Sequence, residues 1–282
     1  MYRLGFIGAG KLAGSVVRGL IRAGFCSPQE IVIHEPNDQA RAALLDEAGI
    51  ALADNNAELA GKAEIVFIGV KPGVVLNVIR EVAKEIENKL VISLAAGVRI
   101  SSMESTARSR FMRALTNTPS AICRAATAVA RGTRTSNEDV DLARKIFSAI
   151  GVVVEIEEKQ IDAVTALAGS APAFVYKVIE ALAQGGEKMG LAPDVALTLA
   201  TQTVLGAAQL ATETKMSPEE LIKMVVTPGG TTAAGLGAME KLGTSESLIA
   251  AIEAATKRGQ EMAEETKSEN RTSKSETSRR TS

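Results

Sequence analysis

The residues best suited to chemistry lie near the C-terminus, in Thr227-Pro228-Gly229-Gly230-Thr231-Thr232, a run of hydroxyls and glycines that opens into a helical pattern. A helix starting there offers unpaired backbone N–H groups and a side-chain donor at the positive end of its dipole, which suits a small carboxylate. A second signal sits at the other end of the chain. Gly8-Ala9-Gly10-Lys11-Leu12-Ala13 follows an apolar strand pattern ending at Ile7 and opens an amphipathic helix. In a dinucleotide turn of this form Gly8 permits the tight bend and Gly10 lets the backbone approach a pyrophosphate. The small Ala13 lets helix and strand pack closely. A carboxylate site and a dinucleotide site in one chain read as a nicotinamide-dependent oxidoreductase.

Other candidates fall at strand ends. Glu35 closes the second strand, where an acidic side chain can accept from the adenosine ribose hydroxyls and favour NADH. Asn37 and Arg41 follow closely and could serve a 2′-phosphate, so NADPH and NADH both stay open. Val70-Lys71-Pro72 and Ala95-Ala96-Gly97 lie at the same carboxyl edge; Lys71 either pairs with the cofactor or is solvated. Asn117, beyond a later strand, could orient the nicotinamide amide. His34 is the sole histidine, and its place at the end of the second strand is far from any nicotinamide. The usual general acid is therefore missing where chemistry would occur, and no cluster with metal-ligand spacing exists. Hydride transfer to an already protonated imine fits such a site, because the positive charge is on the substrate before it reacts.

The elements that must hold these residues divide into two kinds. Up to about residue 157, short apolar runs alternate with helical patterns, the mark of a parallel sheet. Strands are expected at 4–7, 31–34, 65–70, 90–94, 111–115, 126–130 and 152–156. Residues 158–263 read as helical throughout, dense in Ala and Gly, which suits helices packing on one another or on a second subunit. Residues 264–282 lack the apolar side chains that offset chain entropy and read as a disordered tail. The expected class is thus an α/β Rossmann-type dinucleotide-binding domain followed by an all-α domain. Across 282 residues, aromatics are 3% with no Trp and the formal net charge is −1, which argues against a nucleic-acid partner. Two distant cysteines make no disulfide framework, no apolar run is read as a membrane span, and a cytoplasmic setting follows.

At this level of detail the chain resembles pyrroline-5-carboxylate reductases. The motifs that carry the likeness are F-I-G-A-G-K-L-A from Phe6, V-K-P from Val70, A-A-G-V from Ala95 and N-T-P from Asn117. They continue with D-A-V-T-A-L-A-G-S-A-P-A-F from Asp162, G-L-A-P from Gly190 and T-P-G-G-T-T-A-A-G-L from Thr227. The resemblance implies that Ile7, Gly8, Ala9, Gly10, Lys11, Leu12, Asn56, Gly69, Val70, Lys71, Pro72, Leu94, Ala95 and Ala96 line the dinucleotide. It implies that the loop with Gly229, Gly230, Thr231 and Thr232 meets the substrate, 1-pyrroline-5-carboxylate, with Glu158 near it. The Gly230 and Thr231 N–H groups would hold the carboxylate and the Thr232 hydroxyl the ring nitrogen. The same resemblance implies a homodimer intertwined through the helical domains, each site taking its substrate loop from the partner, and leaves open a ring of dimers. Val226, Thr116, Ala168, Ala171 and Arg124 depart from the family's usual residues without removing any of those hydrogen-bonding groups.

Two other readings compete with it. A β-hydroxyacid dehydrogenase would use Lys177 with an asparagine four residues on, but Ala181 stands there. A non-catalytic dinucleotide sensor has no need of the carboxylate loop.

Overall fold

The computed structural model describes residues 1–280. They fall into two compact units, Met1–Gly169 together with the chain from Ala254 onward, and Ser170–Glu253.

The first unit is built on one sheet. Its strands are β1 (Tyr2–Ile7), β2 (Ile31–His34), β3 (Ala51–Leu52), β4 (Ala63–Ile68), β5 (Leu90–Ser93), β6 (Arg110–Leu115), β7 (Ala125–Arg131) and β8 (Gly151–Glu155). The helices between them are α1 (Lys11–Arg22), α2 (Asp38–Ala48), α3 (Asn56–Lys62), α4 (Val75–Glu81), α5 (Ile100–Glu104) and α6 (Asn137–Ser148). Strand order is β3-β2-β1-β4-β5-β6-β7-β8. Side chains alternate between two cores because the strand period is two. Leu4, Phe6, Ile33, Phe67 and Ile92 pack with Val16, Leu20 and Phe147 on one face. Val32, Val66, Ile68, Val91 and Phe111 pack with Leu59, Val75 and Ile79 on the other. Phe6 stacks on Phe67 at 4.5 Å between centroids, and Phe147 meets Phe67 edge-on at 6.2 Å. Both faces are thus covered, as a Rossmann-type sheet requires.

Two features depart from the sequence reading. β3 is a two-residue strand too short to show a pattern. β7 runs antiparallel to β6, since the link from Leu115 to Ala125, with a 3-10 turn at Thr118–Ile122, is shorter than the dozen or so residues a crossover needs. By compactness the sheet unit runs on past residue 157 to Gly169. α7 (Ile161–Val164) and the π-helical turn Thr165–Ser170 mostly stay with the sheet unit, Ile161 and Ala166 being buried.

The second unit holds α8 (Ala171–Lys188), α9 (Pro193–Thr214), α10 (Pro218–Val225), α11 (Thr231–Lys241) and the start of α12 (Thr244–Arg280). Only Ala183, Ala196 and Ala200 form a buried apolar cluster here, while Tyr176, Leu182, Leu197, Leu199 and Leu205 stand exposed. Contrary to the sequence reading, the stretches Glu158–Lys188 and Pro193–Thr214 are long and apolar enough by length and composition to cross a membrane. Their hydropathy comes largely from Ala, Val and Leu on helix faces with little intrachain cover, a pattern that a dimerisation surface shares.

α12 runs on to Arg280, through the stretch from 264 read as a tail; Thr281 and Ser282 lie outside the described residues. A helix already formed adds one hydrogen bond per residue, and Glu, Lys and Arg propagate it well. Its residues from Ala254 return to the sheet unit. Ala263 is buried, and a Cβ on Gly97 would sit 3.4 Å from Met262 and Ala263.

Candidate active site

The sheet's carboxyl edge carries three loops at one level. Ile7, His34, Ile68 and Ser93 are partners in register. The ladder runs one residue further into each loop: Gly8 N donates to His34 O at 2.8 Å, Gly69 N to Ile7 O at 2.8 Å and Leu94 N to Ile68 O at 2.9 Å. Strand order reverses between β1 and β4, so this is the topological switch point where open α/β sheets bind ligands.

The first loop has the form of an anion cradle. Gly8 adopts φ +82°, and a Cβ there would lie 2.7 Å from Val70. Gly10 is the N-cap of α1 and brings no side-chain cap, and the first turn of the helix contains no acid. The leading amides of a twelve-residue helix are therefore left for an external acceptor. A Cβ on Gly10 would meet nothing within 4 Å, so the space above the turn is open. This chain's residues fit a dinucleotide pyrophosphate.

Other expected residues are already engaged by the protein. Asn56 Oδ1 lies 2.6 Å from His34 Nδ1 and its Nδ2 donates to Glu81 Oε2 at 3.0 Å, so His34 ties β2 to α3. Asn117 is buried; Nδ2 donates to Ala168 O in the π-helical turn at 3.1 Å, and Oδ1 accepts from Ala126 N at 3.1 Å. Its side chain thus joins the π-turn to β7, leaving one N–H for anything further. Lys71 is exposed at the head of a 3-10 turn, Pro72–Val74. Leu94, Ala95 and Ala96 lie on the loop that Gly97 bends with φ +69°.

Glu158 is joined to a buried charge that sequence reasoning missed. Its Oε1 accepts from Ile100 N at 2.7 Å and from Arg113 Nη1 at 3.1 Å. Arg113 is 1% exposed, and its Nε and Nη2 have no partner among the described residues. Burial pulls its affinity for the proton below the usual arginine value, opposed chiefly by Glu158; an arginine keeps its charge regardless. Beside it, Arg99 pairs with Asp162 at 3.1 Å. The signal in the sequence was an arginine inside an apolar strand, Phe111-Met112-Arg113-Ala114-Leu115.

The substrate loop belongs to the second unit. Thr227-Pro228-Gly229-Gly230 is a turn in which Gly230 N donates to Thr227 O at 2.9 Å and Gly229 has φ +72°, the type II pattern with proline leading. The Gly230 N–H, expected to hold the carboxylate, is therefore closed within the turn. Gly230 caps α11 without a side chain, and the first turn of that helix carries no acid. The leading amides that remain are those of Thr231, Thr232 and Ala233.

Comparison with known proteins places this geometry. Residues 158–262 match the family model for pyrroline-5-carboxylate reductase dimerisation, and residues 3–97 match that for NADP oxidoreductase, coenzyme F420-dependent. A pyrroline-5-carboxylate reductase of Pisum sativum is 40% identical over 263 residues, covering 93% of this chain and 96% of its own. One from Methanosarcina acetivorans is 39% identical over 263 residues, covering 92% and 97%. A solved pyrroline-5-carboxylate reductase of Coxiella burnetii superposes with a TM-score of 0.84 at 34% identity over 93% of this chain and 98% of that one. The Plasmodium falciparum pyrroline carboxylate reductase, solved with NADP bound, gives 0.85 at 26% identity, covering 93% and 98%. The chain therefore belongs to the pyrroline-5-carboxylate reductase family, oxidoreductases that use NAD(P)H to reduce the C=N bond of 1-pyrroline-5-carboxylate to L-proline, the last step of proline biosynthesis.

Proposed function

We propose that the cofactor lies across the switch point, with its pyrophosphate on the Gly8–Leu12 turn. Residues Gly69–Pro72 and Leu94–Ala96 flank it, and the substrate is held by Thr231 and Thr232. When bound, the reduced nicotinamide supplies the hydride. The amides of Thr231 and Thr232, uncapped at a helix N-terminus without acidic neighbours, take the substrate carboxylate. The Thr232 hydroxyl oxygen accepts from the protonated ring nitrogen and fixes which ring carbon is presented. No proton has to be delivered to the reacting bond, so orientation carries most of the acceleration. Asn117, bridging Ala126 and Ala168, joins β7 to the π-helical turn rather than acting on the ring.

The substrate loop reaches the site as a homodimer, in which the exposed apolar faces of α8 and α9 are covered by a second copy. Two observations support this: the match to a dimerisation model over 158–262 and the small intrachain core of the second unit. Cys26 and Cys123 are both free thiols, in keeping with a cytoplasmic home.

The single observation that carries the reading is the uncapped α11 terminus led by Gly230, Thr231 and Thr232. Thr232→Ala should lower kcat about 10–100-fold while leaving NAD(P)H binding within twofold, one lost hydrogen bond to a charged group being worth about 1.5–3 kcal/mol. Unchanged turnover would remove Thr232 from the mechanism.

A further inference from the structure

The sequence pattern gives Glu35 the place of an adenosine ribose reader, which would set the choice between NADH and NADPH. The side chain's surroundings point elsewhere. Glu35 Oε2 accepts from Ala9 N at 2.8 Å, and Oε1 accepts from Asn37 N at 2.9 Å. The residue is 9% exposed and Ala9 only 3%. Each carboxylate oxygen thus holds a backbone amide, one in the dinucleotide turn and one in the loop that opens α2. Turning both oxygens toward a ribose would break two charge-assisted bonds and leave the Ala9 N–H buried without a partner.

The neighbouring cation is differently placed. Arg41 Nη1 donates to the carbonyl of Glu35 at 3.2 Å, and Nη2 pairs with Asp38 at 2.6 Å. The Arg41 side chain is 32% exposed and that of Asp38 is 89% exposed, so this is a surface pair that solvent screens and an anionic ligand can replace. With both Glu35 oxygens engaged by amides, the cation this loop offers to an anionic group is the Arg41 guanidinium, once it leaves the more exposed Asp38.

We propose that Glu35 braces the dinucleotide turn through Ala9 and does not select the cofactor, and that Arg41 selects it by accepting a 2′-phosphate, making NADPH the preferred reductant. This rests on the reductase reading above, which supplies the dinucleotide.

Isothermal titration of NADPH and NADH into wild type, Glu35→Gln, Glu35→Asp and Arg41→Ala tests it. A brace predicts that Glu35→Gln weakens both cofactors by one common factor, about tenfold, with their ratio kept within twofold. Arg41→Ala should weaken NADPH about 10–100-fold and leave NADH nearly unchanged. Glu35→Asp keeps the charge but shortens the arm. A brace loses affinity for both cofactors; a ribose reader would keep NADH. This variant decides the matter should Glu35→Gln fail to fold. A Glu35 variant that binds NADPH more tightly and NADH more weakly would overturn the brace. Equal losses for both cofactors in Arg41→Ala would overturn the selector. A folded wild type that binds neither cofactor would sink the reductase reading itself and the brace with it.

Discussion

Replacing Gly10 by alanine separates cofactor binding from folding. Gly10 has φ −63° and ψ −164°, values open to any residue, and a Cβ built on it meets nothing within 4 Å. The cost to folding is confined to the helix start, where alanine caps less well than glycine by roughly 0.5–1 kcal/mol. In a unit of this size that lowers the melting temperature by about 2–4 °C at most. In the proposed placement the same methyl stands where the pyrophosphate would pass closest to the backbone. An anion pushed off the turn loses amide bonds worth about 1.5–3 kcal/mol each, which corresponds to NAD(P)H affinity reduced about 10–100-fold. Gly69→Ala is the contrasting case. Its Cβ would lie 2.6 Å from Gly8 O and 2.7 Å from the Ala13 Cβ. Relief requires the turn and the β4 exit to part by close to ~1 Å, since carbon contacts are optimal at about 3.5–4.0 Å. Overpacking of that kind costs about 1–3 kcal/mol, so melting temperature and affinity should fall together. Calorimetric titration with differential scanning calorimetry on both variants reads the two effects. Wild-type affinity in Gly10→Ala would refute the placement of the dinucleotide. A melting temperature as low as that of Gly69→Ala would refute the open space above Gly10.

Three further outcomes are expected. Gly19→Ala would place a Cβ 2.1 Å from Ser120 O, where α1 crosses the 3-10 turn; the clash should outweigh the helix gain of about 1 kcal/mol and lower the melting temperature by about 4–8 °C. A melting temperature at or above wild type would show that the two segments separate freely. Glu158→Gln should destabilise by about 2 kcal/mol because it leaves the buried Arg113 charge without its counter-ion. Arg113→Met, which removes the charge along with its unpartnered nitrogens, should cost less in urea unfolding; the reverse order would mean that the pair is not what holds Arg113 inside. Burial pushes the Cys26 thiol up from 9.0 to about 11, with Glu30 adding to the shift. Its thiolate fraction at pH 8 is then roughly a hundredfold below that of an ordinary cysteine, and iodoacetamide should modify it at a correspondingly slow rate. Rapid labelling of Cys26 in the native protein would contradict its burial.

The parts of the fold legible in the sequence were those governed by local periodicity. Leu4–Ile7, Ile31–His34 and Leu90–Leu94 show strand patterns because both of their faces are buried, and Gly8, at φ +82°, marks the turn that follows the first of them. What stayed hidden depended on partners distant along the chain. Glu35 looks like a ribose reader by its position, and only the structure turns its carboxylate onto Ala9. Asn117 and Asn56 sit where a cofactor contact was expected, and each is held by groups far away in sequence. The Gly230 N–H role came with the family resemblance, while the turn that engages it follows from Pro228 and Gly229 acting together.

The most direct test is the loss of nicotinamide absorbance when the purified protein meets 1-pyrroline-5-carboxylate, with NADPH and NADH run side by side. Oxidation of the cofactor with stoichiometric formation of L-proline, faster with NADPH, is the predicted result. A folded protein that binds NAD(P)H yet leaves its absorbance unchanged in the presence of the imine would contradict reductase activity.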